Sequence, residues 1–428
     1  MKILVIGGGG REHALIWKLR ESPDVQQIYC APGNAGIVAL ADCVPIEPTS
    51  LVEAADFAEK LRIDLTVVGP ELPLTLGIVD EFGKRGLPIF GPSRAAAEIE
   101  GSKAFAKEFL VRHGIPTARH ETVSSLAAAE RLLASRETRF PVVLKVDGLA
   151  AGKGVVIART RDEAGAFARE VLEGRIYGNA GDRLLIEEHL EGHEASFFAL
   201  CDGRRIVPLV GCQDYKRLGE GDTGPNTGGM GALSPTSRLG PETFQRVVRE
   251  VILPTVSGLA AEGRPYRGVL YAGLMLCASG PQVLEFNARF GDPETQVLMP
   301  RLKGDLLPAL LAASTGTLEE THLEWRREAC VTVVAAAQGY PGRYETGRRV
   351  DGIPEAEKLD GVAVFHAGTR LEGNQTVTVG GRVLAVSALG ADGAQAAERA
   401  YGGLERIRFD GMVFRTDIGR EPAAAGKR

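Results

Sequence analysis

The chain has 428 residues, 44% hydrophobic and 25% charged, proportions that exclude a disordered or collagen-like polypeptide. Its net charge of −5 argues against a nucleic-acid-binding surface but leaves room for a local basic cluster around a small anion. No apolar run approaches a membrane span, and MKILVIGGGG is too short for a signal h-region, so a cytoplasmic protein is expected.

At this length more than one domain is expected. Residues 2–6 (KILVI) read as a buried parallel strand broken by Gly7–Gly10, and REHALIWKLRES has helical spacing through Ala14, Leu15, Trp17 and Leu19. A strand ending near Cys30, another at 65–69, a helix at about 73–85 and LPIFG near 91 continue the alternation. Strands alternating with helices imply a parallel α/β sheet. Lys103 to Gly114 predicts an amphipathic helix ended by Gly-Ile-Pro. PVVLKVDG (141–148) and GVVIAR (154–159) predict an antiparallel pair around a glycine loop, followed by a helix near 162–174 and strands at 184–190, 194–201 and 205–211. Asp214 to Leu233 reads as a polar, glycine-rich loop, too long for a mere connector. A helix near 241–262 leads to GVLYAGLMLC and then VLEFNARFGDPET (283–295). From Ala329 short strands suggest a separate α+β cap, and EPAAAGKR a disordered tail. The six cysteines, none in a CxxC pair, are expected to be buried thiols.

The segment 283–295 carries the sharpest chemical signal. If it is a strand, Glu285 and Asn287 share a face, offering two hard oxygen ligands of the kind Mg²⁺ takes alongside phosphate oxygens and water. Arg289 continues that face, and Asp292 and Glu294 follow the glycine turn. A solvated edge strand would show the same charges. The first glycine run fails a dinucleotide pattern, because Glu12 stands where glycine or alanine is needed and no acid follows the second strand at Tyr29, Cys30 and Ala31. It still offers a phosphate cradle at a helix start, with the turns PGNAG (32–36) and GPE (69–71) nearby. GLAAGKG (148–154) fails the Walker spacing, and Gly154 replaces the metal-holding Ser/Thr; it reads instead as a flap that closes Lys153 over phosphates. Lys145, inside an apolar strand, calls for an anion unless it snorkels from an edge. Of Glu187 and Glu188, on opposite faces, at most one need face a site. His189 and His193 have zinc-pair spacing, but Gly192 and the lack of a third ligand argue against zinc. The 214–232 loop, with Asp214, Lys216, Arg217 and Asn226, could hold an amino acid or a phosphate, or be plain surface. No nucleophile elbow occurs. Together the parts point to ATP-driven activation of a carboxylate.

These residues resemble the ATP-grasp superfamily and, within it, the phosphoribosylamine–glycine ligase family. GGGGREHAL, PGNAG, VVGPE, SKAFAK, LKVDGLAAGKGV, EEHLEGHEASF, DYKR, GPNTGGMGA, EFNARFGDPETQ and FHAGT occur in order along nearly the whole chain. The resemblance implies an α/β and α+β multidomain fold. Its parts would be a Rossmann-like N-terminal domain at 1–101, an ATP-grasp domain at 102–326 with a flap at about 122–190, a barrel-like α+β domain at 327–420 and a tail at 421–428. It implies that ATP, glycine and 5-phosphoribosylamine give glycinamide ribonucleotide, ADP and phosphate through glycyl phosphate, with no nucleic-acid or membrane partner and as a monomer. By the same resemblance Glu285 and Asn287 hold Mg²⁺ or Mn²⁺. Lys103, Lys145, Gly152, Lys153, Gly154, Glu187, Leu190 and Glu194 meet ATP. Arg289, Asp214, Lys216 and Asp292 serve the chemistry, and Gly9, Glu12, Asn34, Glu71, Asn226 and Gly228 the other substrates. A formate-using or carboxylating sibling ligase and a nucleotide-binding regulator without turnover are the rival readings.

Overall fold

A computed structural model describes residues 1–149 and 154–420, so Gly152, Lys153 and the tail expectation lie outside the described residues. The chain opens with a five-stranded sheet in the order Asp42–Cys43, Gln27–Pro32, Lys2–Gly7, Leu65–Val68, Ile89–Phe90, with every recorded pairing parallel. Ile3, Leu4, Val5 and Ile6 are all fully buried, which is why this run has no alternation. The single helix expected at 73–85 is two, Glu71–Leu76 and Ile78–Lys84. Gly77, at φ 97°, turns the chain between them in a conformation that side chains resist.

The flap is a four-stranded antiparallel sheet, His120–Val123, Leu184–Glu188, Val142–Val146 and Val155–Ala158 in spatial order. Helices Leu126–Ala134 and Arg161–Leu172 close a hydrophobic core of its own, built on Leu144, Val146, Ala168, Val171 and Leu184. Behind it, strands Ile206–Pro208, His193–Asp202, Arg267–Cys277 and Gly280–Asn287 make the central sheet. Phe197, Leu270 and Phe286 of that sheet share a core with Leu4 and Ile6 of the first domain and with Phe109 of the helix Lys103–Arg112.

The segment 214–233 differs from its reading as a loop. Thr223–Asn226 returns against Arg217–Gly219 as a hairpin, while Gln213–Asp214 and Gly231–Ser234 extend the C-terminal sheet, pairing onward to Ala329–Ala337, Arg382–Gly390 and Val362–His366. Its glycines hid a strand whose Ala232 and Ser234 are fully buried. The six cysteines are free thiols, with Cys30, Cys201, Cys212 and Cys330 buried. Among the described residues no helix is long and apolar enough to cross a membrane.

Candidate active site

A cleft of ≈ 910 Å³ lies where the flap, the central sheet and the C-terminal domain meet. Its floor is the strand Gly280–Asn287. The register pairs Gly273 with Glu285, Ala272 with Phe286 and Tyr271 with Asn287. Phe286 therefore enters the core, while Glu285 and Asn287 share the cleft face. A bulge follows, since Leu274 pairs with Val283 and leaves Leu284 over, and the Leu284 carbonyl turns to accept from Lys145 Nζ at 2.9 Å. Burial pushes the Glu285 carboxyl up, but Lys216, Lys103, Lys145 and Arg289 outweigh it and hold the group ionised. No hydrogen bond or ion pair among the described residues takes up that carboxylate. An ionised, open carboxylate beside an amide oxygen fits a hard divalent cation. No group of three or more His, Cys, Asp or Glu side chains with metal-ligand spacing exists among the described residues, so water and phosphate oxygens would complete such a shell.

Lys145, 6% exposed, finds its anion in Glu187, whose Oε2 lies 3.0 Å away. Lys107, on the buried side of its helix, lies 3.0 Å from the same oxygen and donates to Thr117 Oγ1 at 2.7 Å. Burial lowers the Lys107 ammonium to about 8 despite Glu187. Glu187 Oε1 is buried without a partner. Lys103 Nζ reaches the Gly148 carbonyl at the flap's base, 3.2 Å away, and Leu190 and Gly154 line the same end of the cleft.

Lys216 sits between Glu194, at 3.0 Å, and Asp214, at 3.9 Å. Burial pushes the Asp214 carboxyl up to about 7, opposed by Lys216 and reinforced by Glu294 and Glu194. Glu194 is held low chiefly by Lys216, so its carboxylate is already half engaged. Arg289 has every nitrogen committed: Nε to Glu71 at 3.2 Å, Nη1 to the Phe290 carbonyl at 3.3 Å, Nη2 to Asn287 Oδ1 at 3.1 Å and Glu100 at 3.3 Å. It orients Asn287. Glu100, pushed up to about 7 by burial, accepts from the Ala288 amide at 2.6 Å.

The expected phosphate cradle in the first domain is closed on itself. Glu12 is 1% exposed; its Oε2 accepts from the Gly9 amide at 2.6 Å and its Oε1 from Arg11 Nε at 2.6 Å. Asn34 donates to the Gly8 and His366 carbonyls at 2.9 and 2.8 Å and accepts from the Gly36 and Ile37 amides at 3.0 and 3.1 Å. Its amide has no hydrogen-bonding capacity left. Gly9, Glu12 and Asn34 are not among the residues that line the cleft. The anion at the start of the helix Gly10–Leu19 is a protein carboxylate: a carbon added at Gly9 would lie 3.4 Å from Asp292 Oδ2. Burial raises Asp292, but Arg382, Arg11 and the Arg11 backbone amide hold it ionised. Glu71, Asp292, Asn226 and Gly228 do line the cleft.

Lys107, Glu100, Arg382 and Tyr340 are among the cleft residues that the sequence did not single out. Lys107 alone gave a signal, being four residues from Lys103 on one helix. The C-terminal domain reaches the cleft through the other two: Tyr340 Oη accepts from the Gly228 amide at 2.8 Å, and Arg382 Nη1 donates to the Gly228 carbonyl at 2.6 Å.

Three family models match: phosphoribosylglycinamide synthetase N domain over residues 1–100, its ATP-grasp (A) domain over 101–295 and its C domain over 330–421. The chain is 52% identical to a phosphoribosylamine–glycine ligase of Salmonella typhi, covering 98% of each, and 50% identical to one of Yersinia pestis, covering 100% of each. A solved phosphoribosylamine–glycine ligase of Thermotoga maritima superposes with a TM-score of 0.85 at 33% identity, over 97% of this chain and 100% of that one. A biotin carboxylase domain of Hydrogenobacter thermophilus shares the fold, with a TM-score of 0.74 at 17% identity over 96% and 91% of the two chains. With its cleft framed by these three matched domains, the chain belongs to the phosphoribosylglycinamide synthetase family of ATP-grasp ligases.

Proposed function

We propose that the chain uses ATP to join glycine to 5-phosphoribosylamine, giving glycinamide ribonucleotide, ADP and phosphate. A glycine carboxylate oxygen attacks the γ-phosphorus, the bond to the β–γ bridging oxygen breaks, and ADP leaves. The amine of phosphoribosylamine then attacks the carbonyl carbon of glycyl phosphate, losing one proton as phosphate departs. Family membership supports the substrates. The observation that carries the chemistry is Glu285, an ionised carboxylate with no protein partner among the described residues, under the field of three lysines.

Glu285 and Asn287 are the residues that would hold Mg²⁺ or Mn²⁺, which when bound neutralises charge on the phosphoryl oxygens. Lys145 and Lys103 meet the nucleotide phosphates from the flap side, and Glu187 and Leu190 meet the base. Arg289 acts through Asn287, fixing its oxygen on the cleft face. Lys216 and Asp214 orient the glycyl group, and Asp214, its carboxyl pushed up to about 7 by burial, takes the amine proton in this reading. The flap, folded around its own core, closes over the nucleotide and excludes water, which would hydrolyse an acyl phosphate. Domain limits of 1–101, 102–326 and 327–420 are proposed with this assignment.

A coupled ADP-release assay omitting one substrate at a time tests the reading. ADP release should require both glycine and phosphoribosylamine; release supported by formate or bicarbonate instead of glycine would assign the chain to a sibling ligase.

A further inference from the structure

Asn34 and Glu12 are saturated and the start of the first-domain helix faces Asp292, which leaves the sugar phosphate without its expected partner. Arg382, at the head of the strand Arg382–Gly390, lines the cleft on this side. All its bonds run through one nitrogen: Nη1 donates to the Gly228 carbonyl at 2.6 Å and the Asp292 carbonyl at 2.8 Å, and lies 3.3 Å from Asp292 Oδ1. Nε and Nη2 have no acceptor among the described residues. Gly228 packs against the guanidinium face, where an added carbon would come within 3.0–3.2 Å of Cζ, Nη2 and Nε. The group is thus held by one corner, with its Nε–Nη2 edge free. That edge presents two parallel N–H donors, the fork that matches two oxygens of a phosphate. Arg11 is a second cation beside Asp292, with its own Nε paired to Glu12 Oε1 at 2.6 Å.

We infer that the Nε–Nη2 edge of Arg382 binds the 5-phosphate monoester of the sugar substrate, making the C-terminal domain part of the phosphosugar site. The inference rests on the proposed function for the identity of the sugar. Its geometry separates two anions along one cleft. The nucleotide phosphates meet the lysines near Glu285, and the sugar phosphate meets Arg382 next to Asp292. A carboxylate is the competing ligand chemistry, and glycine would supply it.

The test uses Arg382→Met and Arg382→Lys in the full chain, with ribose 5-phosphate as a stable probe and ribose as the control. Calorimetry should show ribose 5-phosphate binding to the wild type and ribose not binding. Arg382→Met should lose about thirtyfold or more in ribose 5-phosphate affinity, and Arg382→Lys, which keeps charge but not the fork, a smaller but clear part of it. In turnover, KM for phosphoribosylamine should rise while KM for ATP and glycine stay within about threefold. A rise confined to the glycine KM would overturn the inference by assigning the edge to a carboxylate. Unchanged ribose 5-phosphate affinity, or an equal loss of ATP affinity in both variants, would overturn it in favour of a role in holding Gly228. If the wild type made no glycinamide ribonucleotide, the proposed function would fail, while the ribose 5-phosphate comparison would still decide the role of Arg382.

Discussion

Lys107 and Lys145 each place an ammonium group 3.0 Å from the same oxygen of Glu187, Oε2, and leave Oε1 buried without a partner. Two cations on one oxygen keep the carboxylate ionised, with its pKa lowered even though burial opposes this. A buried ionised acceptor with an open position is costly unless a donor arrives. The exocyclic amine of adenine is such a donor, whereas the oxo group of guanine is not.

Glu187→Gln follows from this directly. The variant loses the charge that balances two buried lysines and should raise KM for ATP by about tenfold or more. Preference for ATP over GTP should shrink with it. Steady-state kinetics with both nucleotides decide the point; an unchanged ATP/GTP ratio would remove Glu187 from base recognition.

Glu285→Gln keeps the shape of the strand and removes a carboxylate that no described side chain takes up. ADP formation should fall by about a hundredfold or more, and raising Mg²⁺ or Mn²⁺ should restore little of it. Direct binding supplies a second readout: Mn²⁺ bound in the presence of ADP, followed by electron paramagnetic resonance, should weaken in the variant. Equal Mn²⁺ binding in both proteins would rule out the assigned role.

The Glu100 carboxyl, raised from 4.5 to about 7, gives a pH prediction with a definite sign. Burial is the main cause, and Arg289 opposes it. The folded protein therefore holds this proton where the unfolded chain has released it. The contribution to stability is full below about pH 4.5 and is lost as pH rises to about 7. Glu100→Gln should flatten that part of the stability profile, as read by denaturant midpoints across the window. A parallel profile would refute the assignment.

Asn34 is predicted to act on stability rather than on substrate affinity. Asn34→Ala strands the buried carbonyl of His366 and the amides of Gly36 and Ile37, and should cost about 1–3 kcal/mol in denaturant unfolding. KM for phosphoribosylamine should change little in the folded fraction. A large KM rise with no stability loss would return Asn34 to the substrate.

What the sequence made legible was local. Period-two alternation put Glu285 and Asn287 on one face, and the register bears that out. The strands that flank the glycine loop at 148–154 pair antiparallel, as expected, while Gly152 and Lys153 lie outside the described residues. Distant partners were not legible. Nothing near Asn34 shows that its amide is used up by His366, which lies 332 positions further on. Glu12, which breaks the dinucleotide pattern, caps its own helix through the Gly9 amide. Lys107 and Glu100 sit on helices where charged residues ordinarily face water; the spacing from Lys103 hints at Lys107, and only burial marks Glu100. The glycines of 214–233 hid strands because sheet pairing with residues beyond 328 supplied the order that the local sequence lacked. Arg382 was missed because its strand read only as part of a cap.

The central claim is that the glycine carboxylate is phosphorylated before the amine attacks. Glycine labelled with heavy oxygen in its carboxylate tests it in a single turnover, with mass analysis of the phosphate released. One labelled oxygen is expected in each phosphate formed. Phosphate carrying no label from glycine, alongside glycinamide ribonucleotide, would contradict it.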